Sequence, residues 1–486
     1  MDATGPGEPG EHSERLKALV LRVQGAVLLS IMGLALLKGL GGVTGLEPLA
    51  FALMLPFGAL VAFNGTRVAR VFLAAAALAV VALLTLVETP GPVFGEAVRR
   101  SLLFVSFFSA ILILREATFR SHLLRRLSDY LVSQPPGRRF ISLLLGSHLF
   151  GVMMNMGGIV LLGAVATQKS RRDGTGLSPF DQRQAALAVL RGFAPTAMWS
   201  PLSLTPVVVS SLVPGVRIGQ LVAWGIGFAA AILAMSFVVN RLETWTERRK
   251  RQATMTAAAA APPRPPTPWR TLFAVLGVVL LIFVLIAAGV RLTGAGIATV
   301  VTLVLPVFTL GWLLVQCRYS LRACVRGPLA NVAARTLPAQ SSEITVMMVA
   351  AFVGPVIVAL LPAGLIAEWL AGHHFGAIAI VYGSFLIVLV SGAIAVNPIV
   401  TIAVIMGVIG DPRDLGVHPL YIATTLTAAW GMAAQLSPVT ACSMISAGAF
   451  GVTPRTLVFG WNRTFGVVAM LAALVVIVGV GLLQQG

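Results

Sequence analysis

A chain of 486 residues that is 57% hydrophobic and 11% charged has too few charges for a soluble domain, in which about a quarter of residues are charged. The net charge of +18 comes from 35 Lys and Arg against 17 Asp and Glu. The basic residues stand between apolar runs and serve as cytoplasmic orientation signals, so nucleic-acid binding is excluded as their use.

Residues 1–18 are polar, hold Asp2, Glu8, Glu11 and Glu14, and make a poor signal peptide. A cytoplasmic tail is expected there, then spans at 19–40, 48–64, 71–87 and 102–114. Arg115, Arg120, Arg125, Arg126, Arg138 and Arg139 follow, with Phe119, Leu123, Leu124, Leu127, Tyr130 and Leu131 at helical spacing, which predicts an interfacial amphipathic helix.

The apolar run 140–168 holds Asn155 and Gly157-Gly158 at its middle, and Arg139 and Lys169 flank it. Basic residues at both ends are wrong for one span and right for a hairpin that enters and returns on the cytoplasmic side. Ser178-Pro179-Phe180-Asp181 is a strong helix start. That helix meets Pro195, Pro201, Pro206 and Pro214, and proline removes a backbone donor and clashes with the preceding turn, so a broken helix is expected over 179–214. A span at 217–239 closes the first half. Residues 241–269, rich in arginine, alanine and proline, read as a semi-extended cytoplasmic linker.

The second half, 270–486, repeats the plan. Spans at 270–290, 296–316 and 344–362 precede a second hairpin at 375–410, interrupted by Asn397-Pro398. A second broken helix at 418–450 is interrupted at Ser437-Pro438, and a closing span follows. With the N-terminus inside, the span count puts the ends of the first hairpin in the cytoplasm and those of the second in the periplasm. The expected fold is therefore an all-α polytopic membrane protein of about eleven transmembrane helices, with two re-entrant hairpins in two inverted repeats and the first span as an extra element.

Corresponding breaks in two inverted halves point to a transport site at the midplane. The predicted substrate site holds Asn155 and Gly157 at the first tip, and Thr196, Ser200 and Ser203 at the first break. The second half supplies Asn397 and Thr401 at its tip and Ser437 and Thr440 at its break, and Arg191 stands one turn before Pro195. Asn155, Ser200, Asn397 and Ser437 double as ion ligands, because amide and hydroxyl oxygens and unwound carbonyls suit a cation. Ser and Thr at a break also serve by bonding back to the helix, and an arginine by reaching for an interface or a carbonyl. No metal site, disulfide or cofactor is expected from Cys317, Cys324 and Cys442, with Na⁺ the one candidate ion.

The order of basic interfacial helix, hairpin with a central Asn, broken helix and closing span, duplicated in inversion, resembles the ion transporter superfamily. The nearest layout is that of the divalent-anion/sodium symporter family, over about 98–483. That family places a Ser-Asn-Thr signature at each tip and break. Here the tips read MNMGG and AVNPIV and the breaks SPLSLT and SPVTA, so Asn155, Asn397, Ser200 and Ser437 carry the match. The resemblance implies a homodimer and an elevator-like movement of the hairpin domain. The expected function is a secondary transporter of a small, carboxylate-like organic anion, Na⁺-coupled, in the inner membrane, whose partners are that anion and the lipid bilayer. The alternatives are a cation, proton or metalloid exchanger and a membrane-embedded enzyme acting on a lipid-linked substrate. For the enzyme, His373-His374 near Glu368 is the only motif.

Overall fold

The computed structural model describes residues 9–172, 178–245, 268–362, 372 and 376–485. Among these residues, nine helices are long and apolar enough to cross a membrane. The chain is an all-α polytopic membrane protein. The two interrupted helices described below are not among the nine. Most of the linker (246–267) and the motif at Glu368, His373 and His374 lie outside the described residues.

The chain divides into two compact units, and each draws on both halves of the sequence. One comprises residues up to Ser121 together with Leu281–Leu361. It holds α1 (Pro9–Gly41), α2 (Glu47–Asn64), α3 (Arg67–Leu86), α4 (Pro90–Arg120), the C-terminal part of α11 (Trp269–Thr293), α12 (Ile297–Gln316) and α13 (Ser341–Leu360). Helix α1 is described over Pro9–Gly41, so helix is present before the span expected at 19–40. Helix α4 extends well beyond 102–114. Its polar first turns are tolerated because Glu96 pairs with Arg99 at 2.7 Å and with Arg100 at 2.5 Å along the same face. It is packed by α12 and α13 and carries Phe104, Phe107 and Leu114 in the core. Glu116, near its end, accepts from Asn331 Nδ2 (3.0 Å) and Thr336 Oγ1 (2.8 Å), which pins the irregular helical stretch 321–340 to α4.

The other unit comprises His122–Leu280 and Pro362–Gly486. It opens with the amphipathic α5 (His122–Val132), which buries Leu124, Leu127 and Leu131. Helices α6 (Pro136–Met154) and α7 (Met156–Arg172) join at Asn155 and pack on each other. Helix α8 (Pro179–Phe193) tightens into a 3-10 turn (Ala194–Met198), breaks, and resumes as α9 (Leu204–Leu212); α10 (Ile218–Glu243) follows. In the second half, α14 (Ala377–Ala393) and α15 (Pro398–Ile409) form a pair. Helix α16 (Pro419–Leu436) breaks and resumes as α17 (Ala441–Ala449), and α18 (Arg463–Gln485) ends the unit.

The packing in this unit is reciprocal. Helix α6 lies on α8 and α14 lies on α16, within each half. Helix α7 lies on α17 and α15 lies on α9, so the second arm of each pair rests on the short helix beyond the other half's break. Close approach sets the first contact: a methyl on Gly192 of α8 would stand 2.2 Å from the Leu144 carbonyl oxygen of α6, so only glycine fits.

Candidate functional site

Each break follows from its local sequence. Before the first, Ser178 caps α8 by accepting from Asp181 N–H. Pro195 then forces the tighter turn, and Ser200-Pro201 ends the helix. The Ser200 amide donates to Thr196 O (3.0 Å) and its hydroxyl accepts from Leu202 N–H (3.2 Å). Ser203 caps α9 by accepting from Thr205 N–H at 3.4 Å. At the second break the Ser437 hydroxyl donates to Gly392 O (2.9 Å), tying the break to the end of α14. Thr440 donates to Ala434 O (2.8 Å) and caps α17 by accepting from Ser443 N–H (3.3 Å). Thr196 donates to Phe193 O at 2.7 Å. The hydroxyls at the breaks thus hold the interrupted backbone, the bonding-back role that Ser and Thr commonly take.

Both asparagines bond the first turn of the helix that follows, Asn397 as the N-cap of α15 and Asn155 as the residue that ends α6. The Asn155 carbonyl oxygen accepts from Met156 N–H (2.8 Å) at the head of α7, and that of Asn397 accepts from Ile399 N–H (2.9 Å) at the head of α15. Asn155 sits at φ 50° and ψ −138°, a sparsely populated region for any residue but glycine. No hydrogen bond among the described residues joins the two asparagines. Gly157 is buried beside the Asn155 turn. Gly151, one turn before Asn155, faces Thr196, so the first tip and the first break are neighbours. Thr401, one turn into α15, is buried and its hydroxyl has no hydrogen-bond partner. Four helix N-terminal ends, at Asn155, Ser203, Asn397 and Thr440, therefore belong to one unit, each carrying partial positive charge.

Arg191 is elsewhere engaged. It is 0% exposed. Its Nε donates to Asn462 Oδ1 (2.7 Å), its Nη2 stands 3.7 Å from Glu243 Oε2, and its guanidinium lies 4.6 Å from the Phe465 ring centroid. Asn462 Nδ2 donates to Gln435 O at 2.9 Å, so the last turn of α8 is linked to the last turn of α16 through one asparagine. Asn240 Nδ2 donates to Gln184 Oε1 at 2.8 Å nearby. Several atoms of this cluster, among them Arg191 Nη1 and both amide atoms of Gln435, have no hydrogen-bond partner. Sequence reading missed Glu243, Gln435, Asn462 and Phe465. The available signals were polar residues within apolar helices and the seven-residue spacing of Gln184 and Arg191 on one face of α8.

His148 is fixed as a neutral tautomer. Trp199 Nε1 can only donate, and it does so to His148 Nε2 (3.1 Å), so Nδ1 carries the proton and donates to Gly192 O (3.0 Å). Among the described residues, no group of three or more His, Cys, Asp or Glu is placed to hold a metal ion.

No protein-family model matches the chain, and no curated protein matches it. Among solved structures, the chain is similar to the YdaH transporter of Alcanivorax borkumensis, described as having an unusual topology. Identity is 17%, 79% of this chain and 87% of that one are covered, and the TM-score is 0.48.

Proposed function

We propose that the chain is a secondary active transporter of a small organic anion of the carboxylate class, coupled to Na⁺. In this reading it sits in the inner membrane with its N-terminus in the cytoplasm, and it works as a homodimer by an elevator-type movement. The observation that carries the reading is the pair of interrupted helices in a strongly apolar chain, each opening a hydroxyl-capped helix N-terminus after Ser-Pro. Interrupting a membrane helix costs backbone hydrogen bonds and is tolerated where the backbone lines a site. Four helix N-terminal ends in one unit favour a negative ligand, and the unwound carbonyls before them suit a cation.

In the same reading, α6–α7 and α14–α15 are re-entrant hairpins of inverted repeats. Their reciprocal packing on α17 and α9 supports this, as do the arginines and lysine flanking 140–168. Arg191 supplies positive charge from behind the breaks and does not touch the ligand, because Asn462, Glu243 and Phe465 hold it. A proton exchanger draws less support, since His148 already spends both ring nitrogens and Glu243 faces Arg183 and Arg191.

The test is uptake of a panel of labelled carboxylates into proteoliposomes, with and without an inward Na⁺ gradient. Uptake driven by Na⁺ is expected for the wild type. Ser200→Ala and Ser437→Ala should weaken it while the protein still purifies folded, and Ser→Thr should be milder because it keeps the oxygen. Wild-type kinetics in both alanine variants would assign the breaks to packing. Failure of every carboxylate under every gradient would remove the substrate class.

A further inference from the structure

A groove of about 310 Å³ lies among α10, α16 and α18, in the unit that holds the breaks. None of the predicted site residues lines it. Its walls are three helical stripes: Trp224 to Met235 on α10, His418 to Met432 on α16, and Ala469 to Val480 on α18. Helix α18 runs antiparallel to α16, since Tyr421 Oη donates to Ile477 O (2.5 Å) and a methyl on Gly466 would touch Leu436. The stripes keep the groove open by being small at its centre, where Ala428, Ala472 and Ala473 stand.

We infer that this groove binds one hydrocarbon chain of a membrane lipid. Its dimensions fit that occupant. At 1.5 Å per helical residue the stripes are about 16 to 21 Å long, close to the thickness of one leaflet's share of the hydrocarbon core, roughly 15 Å. The volume spread over that length gives a mean cross-section of about 15 to 19 Å², on the scale of one extended chain.

The chemistry fits as well. Trp224 on one lip is 55% exposed and Val476 is also exposed, both on helices apolar enough to span the membrane. The groove is thus continuous with the lipid-facing surface. Two of the three hydroxyls in its lining are spent, Thr424 on Leu420 O (2.8 Å) and Tyr421 on Ile477 O, and with Thr425 the one remaining hydroxyl the floor is predominantly apolar. One end is polar: His418 caps α16 through Nδ1 and leaves Nε2 to meet a headgroup ester or phosphate. The floor includes Met198, from the 3-10 turn that leads into the first break, so the bound chain packs directly on that segment.

The experiment uses the full chain purified in detergent, washed to strip surface lipid, and supplied with phosphatidylcholine brominated along its acyl chains. Native mass spectrometry should show one retained lipid per chain. Tryptophan emission should be quenched, and that quenching should shrink in Trp224→Phe. Filling the groove with Ala428→Leu and Ala473→Leu should abolish the retained lipid and the Trp224-dependent quenching, with monodispersity unchanged. If that pair does not fold, Ala231→Leu on the lip gives the same reading. Equal quenching in wild type and filled variants would show ordinary surface lipid and overturn the proposal. Displacement of the retained lipid by a transported carboxylate at transport concentrations would overturn it in favour of a substrate site.

Discussion

At the scale of single residues, the hydroxyls of Thr196, Ser437 and Thr440 are spent on the unit's own backbone. Asn155 holds a positive φ that costs on the order of 1–3 kcal/mol for a non-glycine residue. Asn155→Gly should therefore melt higher than Asn155→Ala in a thermal unfolding series in detergent, because alanine keeps the strain and loses the bond to Met156 N–H. If the amide also serves as a ligand, Asn155→Gly will be stable and slow in transport, which separates the two roles. Around Arg191, one buried cation meets one carboxylate, one amide and one ring. Glu243→Gln should destabilise by about 3 kcal/mol or more, since an uncompensated buried charge remains. Adding Arg191→Met should recover part of that loss. A chemical-denaturation double-mutant cycle checks the sign, and simple additivity would mean that the two groups do not interact.

At the scale of elements, the contact between α6 and α8 depends on a missing side chain. The methyl of Gly192→Ala would stand 2.2 Å from a backbone oxygen, which cannot rotate away. Overpacking of this kind costs about 1–3 kcal/mol. The variant should lower the melting temperature and raise protease sensitivity in the α6–α8 pair, and an unchanged melting temperature would show that the helices separate freely. The break positions themselves were legible in the sequence, since Pro195, Pro201 and Pro438 are incompatible with a continuing helix and Ser178 is a good cap, whereas the caps at Ser203 and Thr440 came from the structure. The length of α4 was not legible from hydropathy, because its polar first turns are helical through ion pairs that a hydropathy window scores as loop.

At the scale of the whole molecule, the orientation of the α6–α7 pair decides the topology. Under the inverted-repeat proposal both of its outer ends face the cytoplasm. Arg138→Cys and Gln168→Cys, both at exposed positions, should resist an impermeant thiol reagent in intact cells and react after permeabilisation. Ready labelling of either in intact cells would make the run a full span and collapse the repeat. The sequence by itself determined the solvent of this protein, the proline interruptions of its helices and the Ser178 cap, because hydropathy, proline sterics and capping act within a few residues of the chain. Only the tertiary structure decided that Arg191 meets Asn462, that α7 rests on α17 and α15 on α9, and that alanines on α16 and α18 leave a groove between helices. Those outcomes depend on contacts between residues far apart in sequence, and no local periodicity encodes which apolar face will find which partner.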